Sequence, residues 1–207
     1  MGLFRLLYND PISFVLLAIP LLYSIILHEL AHGWVAYKMG DPTAKLLGRL
    51  SLDPRRHLDP IGTLALFIVG FGWAKPVPVN FANLRHQRTG LICVSAAGIA
   101  ANLILAFLSL FVLKLVSPVS SGRLDIMLEN MGGINIMLAS FNLIPIPPLD
   151  GSKILMGFST RRFQYTLQRL EPYGMFILIG LLVVGWLDRP IVFIQQLIMS
   201  IIGFLIP

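Results

Sequence analysis

A single cysteine, Cys93, stands in the 207-residue chain. That excludes an intrachain disulfide and any metal site built from a cysteine cluster, and the side chain is expected to pack as a small apolar group. Charge is also scarce: Asp, Glu, Lys and Arg make up 13% of the residues against 56% hydrophobic. With a mean hydropathy of +0.80, an ordinary soluble globular domain is excluded. Internal repeats, low-complexity tracts and long polar stretches are absent too. Residues 1–207 are therefore expected to form one membrane-embedded domain, with a core over about 11–155 and C-terminal helices over about 172–207. No small-residue cleavage site follows the first apolar run, so a cleavable leader is not expected. The net charge of +6 comes from basic residues scattered through the linkers, which speaks for membrane topology and against a nucleic-acid partner.

What the chain has in quantity is apolar sequence free of charge: Pro11 to His28, Ile61 to Ala74, Leu91 to Phe111, Asn130 to Leu149, Pro172 to Leu187 and Pro190 to Pro207. A bilayer core of roughly 30 Å takes about 20 helical residues. The stretch Ile61 to Gly72 would reach only ~18 Å as a helix, so it is expected to dip into the membrane and return. Irregular backbone survives at that depth only when buried in protein or facing a water-filled cavity. The expected fold is an all-α, multi-pass helical bundle of about five spanning helices, with a re-entrant segment and short loop or strand elements near Pro76 to Val79.

If residues 61–72 are re-entrant, Lys38, Lys45, Arg49, Arg55, Arg56, Lys75, Arg85, Arg88, Lys153, Arg161, Arg162 and Arg169 share one side. Arg5, Lys114, Arg123 and Arg189 lie opposite, twelve against four. If the segment crosses, the sixteen divide evenly. The positive-inside rule favours the first arrangement, with the twelve in the cytoplasm.

Near that end of the first spanning helix the sequence reads His28-Glu29-Leu30-Ala31-His32. Residues four apart stack on one helical face, so both imidazoles can aim at one metal while Glu29 is offset toward a metal-bound water. Ionisable side chains inside a membrane helix cost ~2.5–3.5 kcal/mol each on insertion scales and usually line a functional interior. A catalytic zinc wants three protein ligands and one open position, and His57, His86, Asp53, Asp59, Glu129 and Asp150 are candidates for the third. Asp150 stands out, because Pro145, Pro147 and Pro148 break the helix just before it and Gly151 follows. In the re-entrant arrangement it also reaches the same face as His28 and His32; in the crossing arrangement it does not.

HELAH within a membrane helix, followed far downstream by NLIPIPPLDG, resembles the site-2 protease family of intramembrane zinc metalloproteases. Asp59 to Thr63 and Gly72 to Asn80 resemble its compact prokaryotic branch, and the likeness covers residues 20–155 or so. The resemblance implies that His28, His32 and Asp150 hold one Zn2+ per chain, that Glu29 is the catalytic base, and that residues 61–80 dip into the membrane near the substrate. The implied activity is hydrolysis of peptide bonds in or near transmembrane segments of membrane-protein substrates, as in regulated intramembrane proteolysis, with the active site toward the cytoplasm. The family's Gly-Pro-x-x-Asn pattern appears as Gly98-Ile99-Ala100-Ala101-Asn102, with Ile99 in place of proline; the likeness makes Asn102 a catalytic residue that helps hold substrate or stabilise the transition state. On its residues alone, Asn102 could equally be an interhelical hydrogen bond on a small-residue packing face. His57 beside Asp59 is an accessory candidate, for a second metal or a proton relay. Two rival functions use the same ligands: a metal transporter, which has no need of Glu29, and an inactive relative that binds membrane clients without cutting them. The oligomeric state is not legible in the sequence.

Overall fold

The computed structural model describes residues 3–70, 72–116 and 122–206. In chain order its helices are α1 (Leu3–Asn9), α2 (Pro11–Lys38), α3 (Thr43–Leu46), α4 (Pro60–Val69), α5 (Gln87–Val116), α6 (Arg123–Asn142), α7 (Asp150–Phe158), α8 (Arg161–Leu170), α9 (Gly174–Val183) and α10 (Asp188–Leu205). Among the described residues there is no strand, only an isolated antiparallel bridge between Leu58 and Ala74.

Helix α2 starts where the sequence signals a start. Asp10 caps it by accepting from the Ser13 N–H at 3.0 Å, and Pro11 occupies the first turn, where its missing N–H costs nothing. Its 28 residues run roughly 42 Å. By length and composition α2, α5 and α10 can each cross a membrane. Helix α6 has 20 residues but carries Asp125 and Glu129 in its first half. The apolar run Pro172 to Leu187 makes a shorter helix than its length suggests: α9 has ten residues, roughly 15 Å. A one-turn 3-10 helix over Glu171–Tyr173 precedes it, and Gly185 turns the chain with φ +75°. Helix α5 packs against α2, α6 and α7, while α10 packs on α6. Ile99 and Ala106 of α5, Ile136 and Ala139 of α6, and Ile198 and Ile202 of α10 form the main apolar cluster.

The segment between α2 and α5 does not cross. The Arg85 N–H, just before α5, donates to the carbonyl of Met39, just after α2, at 3.1 Å, so both helix ends lie on one face. Between them α4 dips inward. Its Phe67 ring sits 5.9 Å from that of Phe14, which lies fourteen residues, roughly 21 Å along α2, from His28. The chain then doubles back closely: a Cβ on Gly62 would lie 2.2 Å from the carbonyl oxygen of Trp73, and one on Gly72 would lie 2.2 Å from that of Gly62. The Lys75 N–H donates to the His57 carbonyl at 2.8 Å. Only glycine admits such an approach, and the re-entrant expectation is met.

Asp41 latches this loop. Fully buried, it accepts from the Thr43 hydroxyl and N–H, from the Asn80 N–H at 2.7 Å and from Asn83 Nδ2 at 2.9 Å. Burial pushes its carboxyl up, but these donors outweigh burial and hold it below the usual carboxylate range. A lowered value means that the stabilisation is complete at neutral pH and is lost only as pH falls through the folded value. Asp41→Ala removes the common acceptor of four part-buried hydrogen bonds, worth about 0.5–1.5 kcal/mol each. It should therefore expose residues 76–86 to limited proteolysis while helix content by circular dichroism persists.

Candidate metal centre

His28 and His32 stand one turn apart on α2 and are both buried, at 7% and 8% exposure. Their rings meet edge to face with centroids 4.6 Å apart. The Nε2 atoms are 3.0 Å apart, and Asp150 Oδ2 lies 3.2 Å from the first and 3.1 Å from the second. Three ligand atoms thus converge from two elements far apart in sequence. No other such group of His, Cys, Asp or Glu occurs among the described residues.

The hydrogen bonds on the far sides of the rings decide what this convergence means. His28 Nδ1 lies 2.5 Å from Asn102 Oδ1 and His32 Nδ1 lies 2.7 Å from the carbonyl of Val94. Both partners are acceptors, so both Nδ1 atoms carry the proton and, in neutral rings, the two Nε2 atoms present lone pairs. Were both Nε2 also protonated, two N–H groups would face each other across 3.0 Å. Asp150 Oδ2 is buried without a hydrogen-bond donor. Three mutually facing acceptors are stable around a cation. Zinc bonds of about 2.0–2.2 Å in a tetrahedral set imply ligand separations of roughly 3.3–3.6 Å, close to those observed, so the donor set fits.

Local sequence explains the approach. A Cβ on Gly98 would meet His32 Nε2 at 2.4 Å and His28 Cε1 at 2.6 Å, so this glycine lets α5 lie directly against both rings. One turn further on, Asn102 reaches behind His28. Asp150 opens α7 after the proline run has turned the chain. Gly151 is pressed so close to the end of α6 that a Cβ would lie 2.4 Å from the Leu143 carbonyl oxygen. The start of α9 supports the other side of that run, since a Cβ on Gly174 would lie 2.6 Å from the Pro147 carbonyl oxygen.

Glu29 is half-buried beside the triad, and its Oε2 accepts from the Val77 N–H at 2.7 Å. The other ligand candidates are engaged elsewhere. Asp53 caps a short 3-10 helix through the Arg55 N–H, Asp59 caps α4 through the Gly62 N–H, and Glu129 and His86 are exposed. His57 is 1% exposed, with Nε2 2.7 Å from the Ser51 carbonyl; among the described residues no acidic side chain joins it in a second metal group. Asn102 is fully buried and its amide is taken at both ends, by His28 and by Asn135 Oδ1 at 2.7 Å. These two bonds use one N–H and one lone pair of the amide and place Asn102 behind His28. Cys93 is exposed on α5, against the expectation that it packs. Three contributors carried no sequence signal: the Val77 N–H, the Val94 carbonyl and the carbonyl of Met131 behind Asn135. Asn135 itself could have been suspected as a lone amide in the apolar middle of α6.

The profile of Peptidase family M50 matches residues 117–185. A protein of Bacillus subtilis strain 168 named "Putative zinc metalloprotease YwhC" is 41% identical over 187 residues, covering 86% of this chain and 85% of its own. The chain belongs to peptidase family M50. Rip2 of Mycolicibacterium smegmatis, which carries the same description, is 29% identical over 184 residues, covering 85% of this chain and 70% of its own. Zinc metalloprotease MJ0392 of Methanocaldococcus jannaschii is 29% identical over 157 residues, 76% of this chain and 38% of its own. No solved structure matches. Membership of this family of site-2 proteases makes the protein a membrane zinc metalloprotease.

Gly98→Ala should abolish stoichiometric zinc binding, because its methyl would occupy the space of the His32 ring nitrogen. Gly133→Ala, where a Cβ meets nothing within 4 Å, should retain the metal. Metal analysis of the two purified variants makes the comparison.

Proposed function

We propose that this zinc metalloprotease cuts peptide bonds in or near the transmembrane segments of other membrane proteins, as a step of regulated intramembrane proteolysis. The single observation that carries the reading is the burial of His28, His32 and Asp150 between helices of spanning length. In this reading the three hold the zinc and Glu29 is the general base. Bound there, zinc supplies a Lewis acid for the scissile carbonyl and lowers the pKa of a water toward ~7.

The chain's own groups do the rest. With Oε2 held by the Val77 N–H, the Glu29 carboxylate keeps one orientation and leaves Oε1 to take the water's proton and pass it to the leaving amine. The substrate must expose backbone, since a helical peptide bond is closed by its own hydrogen bonds. Membrane helices that unwind locally fit this need, laid as strands beside residues 73–80. Pro76 and Pro78 have no N–H and that of Val77 is given to Glu29, so at these positions carbonyl oxygens alone would receive the substrate. An apolar cavity of about 580 Å3, lined by neither the three ligands nor Glu29, is walled by Leu21 and Ile25 of α2, Leu66 and Phe67 of α4, and Met137 and Phe141 of α6. Its lining suits the apolar side chains of such a helix.

The whole chain would act as one membrane-embedded unit, with water reaching the zinc from the cytoplasm. The twelve-to-four bias of basic residues supports placing the loops around 38–90 and 152–171 there.

Glu29→Gln should leave zinc bound and the fold intact while cleavage of a model membrane helix drops by ~10²–10⁴ or more. Equal cleavage by the variant overturns the mechanism, and zinc transport into vesicles by both proteins without cleavage would establish the transporter. In a Cys93→Ala background, single cysteines at positions 55 and 161 should both label from the cytoplasmic side.

A further inference from the structure

A buried amide chain leads away from the metal centre and ends on a backbone carbonyl. Asn135 Nδ2 donates to the Met131 carbonyl at 2.8 Å and to Ser24 Oγ at 2.7 Å. Asn135 Oδ1 accepts from Asn102 Nδ2 at 2.7 Å, and Asn102 Oδ1 faces His28 Nδ1 at 2.5 Å. Ser24, Asn102 and Asn135 are all fully buried, on three different helices.

We infer that Asn135 and Asn102 are positioning residues that set the tautomer of His28, with the Met131 carbonyl as the fixed origin of the chain. This rests on the reading of His28 as a zinc ligand. A side-chain amide can turn over and exchange its oxygen and nitrogen, but a helix carbonyl cannot. The Met131 carbonyl accepts only, so Asn135 must turn its NH2 toward it and its oxygen toward Asn102. Asn102 must answer with its NH2, which leaves its oxygen for His28. His28 Nδ1 must then carry the proton, and Nε2 keeps the lone pair that faces His32 and Asp150. His32 needs no such relay, because the Val94 carbonyl holds its Nδ1 directly. Each link admits one orientation, so the choice made at Met131 on α6 is delivered to α2 through α5. Partners of this kind behind a metal-bound histidine are typically worth 10–100-fold in metal affinity.

The test is zinc affinity, measured by competition with a chelator on the full-length protein in detergent. Asn135→Leu frees the Asn102 amide to turn its NH2 toward His28, and affinity should fall 10–100-fold. Adding Asn102→Asp to that variant should restore affinity to near wild type, because a carboxylate offers an oxygen to His28 Nδ1 whichever way it turns. A purely structural role for Asn135 would not be rescued by a substitution at Asn102. Unchanged affinity in Asn135→Leu, or no rescue in the double variant, overturns the inference. Full zinc retention in His28→Ala overturns instead the ligand assignment beneath it. Should Asn135→Leu not fold, nitrogen-15 NMR of the metal-free wild type decides. A protonated Nδ1 and bare Nε2 on His28 support the relay, and the reverse tautomer overturns it.

Discussion

Two imidazole lone pairs and a carboxylate oxygen, all within 3.2 Å of one another, repel unless a cation lies among them. The rest of the bundle is arranged so that they cannot separate. The two histidines are fixed relative to each other by one helical turn. Asp150 must come to them from a chain position more than a hundred residues away, at the same depth in the membrane. That requirement makes α2 and α6 run in the same direction, with α5 returning between them. It also places a glycine where α5 crosses the rings, since a larger residue at 98 would hold the helices apart.

A second constraint follows from the solvent. In hydrocarbon every backbone donor and acceptor must find a partner in the protein, so the polar link between α2 and α5 cannot wander at membrane depth. Its fastenings include Asp41 to residues 80 and 83, His57 to Lys75, and Glu29 to Val77. The last fastening joins loop to chemistry. The bond that satisfies a loop N–H also aims the carboxylate, so disorder in residues 76–83 would loosen the base itself.

The helical period made His28, Glu29 and His32 legible at once, because their geometry is local. Asp150 was legible through two independent lines, the prolines that free it from helix and the charge bias that fixes topology. The re-entrant segment followed from its length and from the bias of basic residues. What stayed hidden depended on rotation and contact between helices. Asn102 has the side chain for holding substrate, and only the packing of α5 on α2 shows that it also reaches His28. The burial of His57, beside the Leu58–Ala74 bridge, was likewise not legible. Cys93 read as packed and faces outward, since one residue along a helix shifts a side chain by about 100°. Val77 and Val94 act through backbone atoms, which every residue possesses and no composition reveals.

Buried amides are costly to keep in a membrane interior, where an unpaired polar group costs several kcal/mol. Apolar side chains at 102 and 135 would carry no such liability. A purely stabilising account therefore gives little reason for a chain of two asparagines and a serine across three helices. A metal site does give one: it needs a particular nitrogen of a particular ring to be bare, and hydrophobic packing cannot tell one nitrogen of imidazole from the other. Only a directional hydrogen bond can, and only if the acceptor's own orientation is fixed. Fixing it by a helix carbonyl transfers that choice from mobile side chains to the fold.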